Sequence, residues 1–256
     1  MLASIVALVA WRARALTAAG ALAAAFVGTA IFGSGGWRNA VVLLLFFLSS
    51  TALSQLGKNS AAKRALRRIG KTGARDGTQV IANGGIAAIC ALASMSGNLI
   101  WQVAFVGAIA AATADTWGTE IGTLQERRPR SILSGKFIGI GLSGGVSLLG
   151  SLAEIAGALL LAAVAWSIHA APAFLAVAAG GFGGAAVDSI LGASVQGLRF
   201  CRGCNTFCES DPHYCGADTT LVRGAAWITN DAVNLLSTVA GAAIAAAIYA
   251  VTEAMS

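Results

Sequence analysis

Seven stretches of this chain, 15–32, 37–56, 80–95, 99–113, 137–166, 172–193 and 225–251, carry between them only four charged side chains, Arg38, Glu154, Asp188 and Asp231. An apolar run of about 20 residues is long enough to cross the roughly 30 Å hydrocarbon layer of a bilayer. Inside that layer each backbone polar group must be satisfied within the protein, so a run of this kind is a helix. The expected fold is therefore all-α: a polytopic membrane helix bundle of about seven transmembrane helices. A short N-terminal hydrophobic segment precedes it, and one integral membrane domain covers residues 1–256. Composition excludes a water-soluble domain, with 57% hydrophobic and 11% charged residues against the usual ~25% charged. The first apolar run, 1–10, is not a secretory leader, because its charges, Arg12 and Arg14, follow it. The 32 glycines favour helices that approach closely, since small residues let membrane helices pack backbone to backbone.

The basic residues orient the bundle. Every Lys and Arg except Arg38 falls in 11–14, 57–78, 118–136 or 198–224. Alternating spans put these four segments on one side, which the positive-inside rule makes the cytoplasm. The other side receives the short turns 33–36, 96–98 and 168–171. The net charge of +6 is thus explained by topology, and no nucleic-acid partner is expected. The expected location is a bacterial inner membrane, with the chemistry facing the cytoplasm.

Acids collect at that same side. Asp115 ends one apolar run and Glu120 follows it; Asp188 lies near the cytoplasmic end of 172–193; Asp231 lies near the start of 225–251, with Asn234 one helical turn on. Carboxylates at the edge of a bilayer are costly unless water or a cation compensates them. Each taken alone is a solvated helix end, but four from three distant segments at one depth point to a site. A regular helix would set Asp115 and Glu120 about 140° apart, so non-helical backbone at Gly118 and Gly122 is expected to bring both to one cavity. Glu154, in the middle of its run, is the exception. The stretch from Pro129 to Lys136 offers cations and hydroxyls, and Gly139 to Ser147 offers glycine N–H groups entering a helix, a phosphate-binding arrangement. It is not a Walker motif, since the lysine precedes the glycines.

A second unit lies in 198–224. Cys201, Cys204, Cys208, His213 and Cys215 have zinc-ligand spacing, and four of the five would complete a tetrahedral site. Cys201, Cys204, His213 and Cys215 are the expected Zn²⁺ set; reduced, metal-free thiols are the alternative in a compartment where disulfides are rare. Cys90 sits alone in a span as a packing residue.

Several short motifs occur together: Gly35-Gly-Trp37, Arg75-Asp76, Gln79 to Gly85, Thr113-Ala-Asp-Thr-Trp-Gly-Thr-Glu-Ile-Gly122, Pro129-Arg130, Lys136, Ser143-Gly-Gly145, Asp188-Ser-Ile-Leu-Gly-Ala193 and Thr229-Asn-Asp-Ala-Val-Asn234. In these the chain resembles the integral membrane family that includes human transmembrane protein 19 and plant phytyl-phosphate kinase, itself distantly similar to CTP-dependent phytol and dolichol kinases and CDP-diacylglycerol synthases. The resemblance covers nearly the whole chain. It implies Mg²⁺-dependent phosphoryl transfer from a nucleoside triphosphate, CTP favoured, to an isoprenyl monophosphate such as phytyl or geranylgeranyl phosphate. The residues suit that chemistry. Mg²⁺ prefers carboxylate and phosphate oxygens, which makes Asp115, Glu120, Asp188 and Asp231 the metal candidates, with Asp115, Glu120, Lys136 and Asp188 expected to be catalytic. Lys136 and Arg130 would neutralise phosphate; Ser143, Gly144 and Gly145 would cradle it; Asn230 and Asn234 would hold the base, the ribose or a metal-bound water. The partners implied are the isoprenyl phosphate, the nucleotide and the lipid bilayer, with a second copy of the chain as a candidate. Two alternatives stand beside this reading. One is cytidylyl transfer to a lipid phosphate; the other is a proton- or ion-coupled transporter, which calls for acids spread across the bilayer.

Overall fold

The computed structural model describes residues 2–55, 73–125, 127–169 and 173–255. Most of the basic stretch 57–78, including Lys58, Lys63, Arg64, Arg67, Arg68 and Lys71, lies outside the described residues. So do the turn 170–172 and Glu126.

Among the described residues seven helices make the bundle: α1 Leu2–Arg12, α2 Ala18–Gln55, α3 Gly77–Ala93, α4 Leu99–Gly122, α5 Leu148–His169, α6 Phe174–Ser194 and α7 Asn230–Met255. Six of them are long and apolar enough to cross a membrane, and α1 is the short apolar N-terminal helix. α2 accounts for two of the expected seven spans. Gly36 breaks it with non-helical angles, φ 60° and ψ −143°, a conformation that glycine adopts without a Cβ penalty. The two halves then run back together. Near one end, a Cβ on Gly20 would touch the Arg75 carbonyl; near the other, Arg75 Nη1 donates to Thr51 Oγ1 at 3.1 Å. A straight helix would hold residues 20 and 51 about 46 Å apart, far beyond the reach of one arginine.

The outer faces are hydrocarbon-like. Leu22, Phe26, Leu48, Ile89, Leu148 and Leu175 are all exposed large apolar residues, which water would penalise and lipid does not. Trp37, Trp101 and Trp166 are exposed at the turn end and Trp11 and Trp227 at the other, the two-belt pattern of interfacial aromatics.

α4 is the central post. Val103 to Ala114 are buried without interruption, and α4 packs against α2, α3, α5, α6 and α7. Glycines set how near those neighbours come. A Cβ on Gly241 of α7 would lie 2.5 Å from Ala111 Cβ, 2.8 Å from the Gly107 oxygen and 3.1 Å from the Gly180 oxygen. Three helices therefore touch at Gly107, Gly180 and Gly241. Gly241→Leu is expected to prevent the bundle from closing, since overpacking against backbone has no side chain to move aside. Gly33→Leu, where a Cβ meets nothing within 4 Å, is expected to fold. Size-exclusion profiles and melting in detergent compare the two.

Several boundaries differ from the sequence-based expectation. The apolar run 137–166 is not one helix. Its first eleven residues form a glycine-rich turn closed by a small antiparallel pair, β1 Arg130–Ser131 with β2 Gly145–Val146, and only Leu148 onward is helical. The polar segment 118–136 begins later than expected, because α4 runs on to Gly122 and a 3₁₀ turn covers Thr123–Gln125. The final helix starts at Asn230 rather than at 225. The segment 198–224 contains a three-stranded sheet in the order β4-β3-β5, with β3 Leu198–Cys201, β4 Thr206–Cys208 and β5 Thr220–Arg223.

Candidate functional site

The ends of α2, α4 and α6 and the starts of α3, α5 and α7 surround a cavity of about 870 Å³, within the range of small-molecule sites. Seven carboxylates line it: Asp76, Asp115, Glu120, Glu154, Asp188, Glu209 and Asp231. The basic residues of its described lining are Arg14, Arg75 and Arg127, and that lining holds no histidine.

Four of these acids are the expected Asp115, Glu120, Asp188 and Asp231. α4 carries Asp115 and Glu120, and the anticipated break at Gly118 and Gly122 does not occur: helix continues through both. Both acids nonetheless reach the cavity, because the cavity wraps the end of α4. Ser54 at the end of α2 donates to Glu120 Oε1 at 2.6 Å, and Glu154 of α5 lies against Gly118, whose added Cβ would be 2.6 Å from Glu154 Cγ. Gly118 is thus the space that Glu154 fills. Glu154 is also no mid-membrane exception. Since α5 starts at Leu148, Glu154 is about 9 Å along it, on the cavity that the other acids line.

The remaining polar lining is tied together. Asn234, with its amide oriented to donate, bonds Asp188 Oδ2 at 2.9 Å and the Asn230 carbonyl at 3.2 Å. Thr78 Oγ1 lies 2.8 Å from Asp76 Oδ1 and 2.9 Å from Asp231 Oδ2. Asp76 caps α3 by accepting from Gln79 N at 2.9 Å, and this bond, with the Thr78 hydroxyl, holds its carboxyl below the usual carboxylate range. Asn83, one turn further along α3, also lines the cavity and donates to the Gln79 carbonyl. The cap explains the Arg75-Asp76 pair seen in the sequence: the aspartate starts the helix and the arginine crosses to α2.

The turn Ser143-Gly144-Gly145 forms another wall. Gly144 has φ 78°, and a Cβ on it would lie 2.4 Å from Ala193 Cβ; a Cβ on Gly192 would lie 2.8 Å from Ser143 Cβ. Two motifs far apart in sequence, Ser143-Gly-Gly145 and Asp188 to Ala193, are therefore one contact. Glu209 was not anticipated from the sequence. Its Oε1 accepts from Ser143 N at 2.6 Å and its Oε2 from Ser143 Oγ at 3.0 Å and Gln196 Nε2 at 2.7 Å.

Lys136 and Arg130, expected to neutralise phosphate, are not part of the cavity lining. Both are exposed. Arg130 donates to the Gly135 carbonyl at 2.9 Å and stacks over Phe137 at 4.2 Å. Asn230 does line the cavity, with Oδ1 3.5 Å from Ser143 Oγ.

Beside the cavity, the side chains of Cys201, Cys204, His213 and Cys215 gather with their ligand atoms all within 4.8 Å of one another. The His213 imidazole beside Cys215, aided by the Ala217 N–H and the Cys204 thiol, pulls the Cys215 thiol down to about 6. Cys208 is buried nearby and turns its sulfur to the Ser210 carbonyl at 3.7 Å.

Fold and site together define a polytopic helical membrane protein with an acidic, glycine-walled cavity at one end of its bundle. The chain belongs to the DUF92 family of integral membrane proteins, whose pattern matches residues 1–242. It is similar to Protein PGR of Arabidopsis thaliana, 28% identical over 265 residues that cover 93% of this chain and 90% of that one. An uncharacterized membrane protein of Methanocaldococcus jannaschii is 26% identical over 246 residues, covering 96% and 90%. One from Synechocystis is 27% identical over 233 residues, covering 89% and 80%. No solved structure matches the chain.

Proposed function

We propose that this protein is a membrane-embedded, Mg²⁺-dependent phosphotransferase that moves the terminal phosphoryl group of a nucleoside triphosphate, CTP favoured, onto an isoprenyl monophosphate. The observation that carries this reading is the meeting of seven carboxylates with a glycine turn on one cavity of about 870 Å³. Among the described residues seven acids face three arginines, a balance that suits a bound cation. Asp115, Glu120, Asp188 and Asp231 would hold Mg²⁺, a hard cation suited to carboxylate and phosphate oxygens. When bound, it would neutralise the charge on the phosphates being exchanged.

The chain's own groups do the rest. Arg127, Arg75 and Arg14 bring positive charge to the phosphates in place of Lys136 and Arg130. The turn at Gly144 and Gly145 would meet a phosphate with backbone and no side chains in the way, while the Ser143 N–H is taken by Glu209. Asn230 and Asn234 orient the nucleotide or water on a metal ion. A phosphate acceptor is already anionic at neutral pH, and the absence of histidine from the described lining suits it, since no strong base is required. The cavity faces the cytoplasm in this reading, because the positive-inside rule puts the basic segments there, and the membrane is a bacterial inner membrane.

A transporter would carry acids across the membrane's depth. Here Glu154, the one acid in the middle of an apolar run, belongs to the same cavity as the rest, which favours the enzyme. Purified protein incubated with Mg²⁺, CTP and geranylgeranyl or phytyl monophosphate is expected to release CDP and form the prenyl diphosphate. Pyrophosphate with a CDP-linked lipid would instead establish cytidylyl transfer, and no nucleotide turnover with any prenyl phosphate would reject both.

A further inference from the structure

The cysteine-rich unit touches the cavity at Glu209 and Ser210, and its own centre is built like a metal site. Cys201 ends β3, Cys204 lies in the turn after it, and His213 and Cys215 come from the segment between β4 and β5. The Cys201 and Cys215 sulfurs are 3.7 Å apart, and His213 Nδ1 is 3.2 Å from Cys215 Sγ. Two thiolates on a tetrahedral Zn²⁺ with bonds of about 2.3 Å stand roughly 3.8 Å apart. Four ligands of this softness select zinc over Mg²⁺. His213 supplies an independent observation: it is 1% exposed, and the ring nitrogen that faces the sulfurs is Nδ1. Burying an imidazole is costly unless it is bonded, and metal ligation through Nδ1 accounts for its place inside this small unit. The Arg199–Asp211 ion pair and the Phe200–Phe207 ring contact help to tie the unit together. Its apolar core consists of Cys201 and Cys208 with Ala217 packed against them, far less than a sheet needs to fold on its own.

The sheet is anchored to the bundle on two sides. Arg223 of β5 donates to the Gly192 carbonyl near the end of α6 at 2.9 Å. Glu209, the residue after β4, takes the Ser143 N–H and hydroxyl. The position of the Glu209 carboxylate, and with it that of the Ser143 turn, therefore depends on the fold of the cysteine unit. We propose that Cys201, Cys204, His213 and Cys215 bind one zinc ion, and that the knuckle it closes is a strut holding Glu209 against Ser143 at the cavity wall. The site is structural, because four protein ligands leave no open position for a substrate. It stands whether or not the cavity transfers phosphate.

Elemental analysis of the full chain, purified without chelator or tag histidines, is expected to find about one zinc per chain. Finding none overturns the site. Co²⁺ in its place is expected to give thiolate-to-metal absorption, lost in Cys201→Ser and Cys215→Ser and kept in Cys208→Ser; loss in the last with retention in the first two assigns the wrong ligands. The strut is read by hydrogen exchange at the Ser143 amide. Chelation of the zinc, and separately Glu209→Ala with zinc retained, are each expected to speed exchange there by at least about tenfold. Unchanged exchange in the zinc-loaded Glu209→Ala protein overturns the strut while leaving the metal site intact.

Discussion

Asp115→Asn is expected to lower Mg²⁺-dependent turnover by more than about a hundredfold while the protein still folds in detergent. Asparagine nearly matches the volume of aspartate and removes its charge. A metal acting on the phosphates contributes several kcal/mol to the transition state, and each 1.36 kcal/mol is about a factor of ten in rate. Asparagine keeps the packing volume at this position. Asp115 is half-buried, one residue past the continuously buried run of α4, and the three-glycine contact at Gly107, Gly180 and Gly241 lies deeper in the bundle. Melting should therefore shift by only a few degrees. Glu253→Gln, at the exposed far end of α7, provides the comparison and is expected to turn over like the parent. If Asp115→Asn also turns over normally, Asp115 is a solvated acid of the cavity wall and the metal lies elsewhere in the cavity.

The bundle is legible in the chain because its physics is one-dimensional. A run that must bury its own backbone hydrogen bonds in hydrocarbon announces its place in the chain, and six of the seven expected spans appear, five with ends shifted by a few residues and one, 99–113, extended to Gly122. The seventh shows where that signal stops. Phe137 to Ser147 is as apolar and glycine-rich as a membrane helix, but the turns at Gly141 and Gly144 have φ of 85° and 78°. Hydropathy cannot register φ. The same error displaced Glu154, which looked central only because the run was counted from Phe137 instead of Leu148.

The site was partly legible for a related reason. Acids are rare in this chain, so Asp115, Glu120, Asp188 and Asp231 stand out and lead to one cavity. The cations do not stand out. Lys136 and Arg130 were singled out for their nearness in sequence to the glycine turn, but the β1–β2 hairpin carries them away from the cavity. Arg14 and Arg75 arrive from the far end of the chain order through the bridge between Leu16 and Arg75, a contact no spacing rule encodes. Glu209 was hidden among residues that read as zinc ligands, and its partner Ser143 lies 66 residues away.

Gly144→Val is expected to cost the protein roughly 2–5 kcal/mol, from a β-branched residue in left-handed backbone together with overpacking against a neighbouring backbone. At φ 78° the new Cβ would stand 2.4 Å from Ala193 Cβ and 2.5 Å from Ala193 N. Neither can yield, because α6 is held behind Ala193 by the Arg223 bond to Gly192. The turn must then leave α6, taking the Ser143 N–H from Glu209 and opening the cavity beside Asp188. For a chain of this size the melting midpoint should fall by about 5–15 °C, and any nucleotide binding should weaken with it. Gly135→Val separates the two causes. Gly135 also has positive φ, 66°, but a Cβ there meets nothing within 4 Å, so this variant carries the strain without the collision. It should lose no more than about half as much stability and keep its ligand affinity. Equal losses in the two variants would mean that docking of the turn on α6 contributes nothing, and that Ser143 and Gly145 are held in the cavity wall by the hairpin and by Glu209.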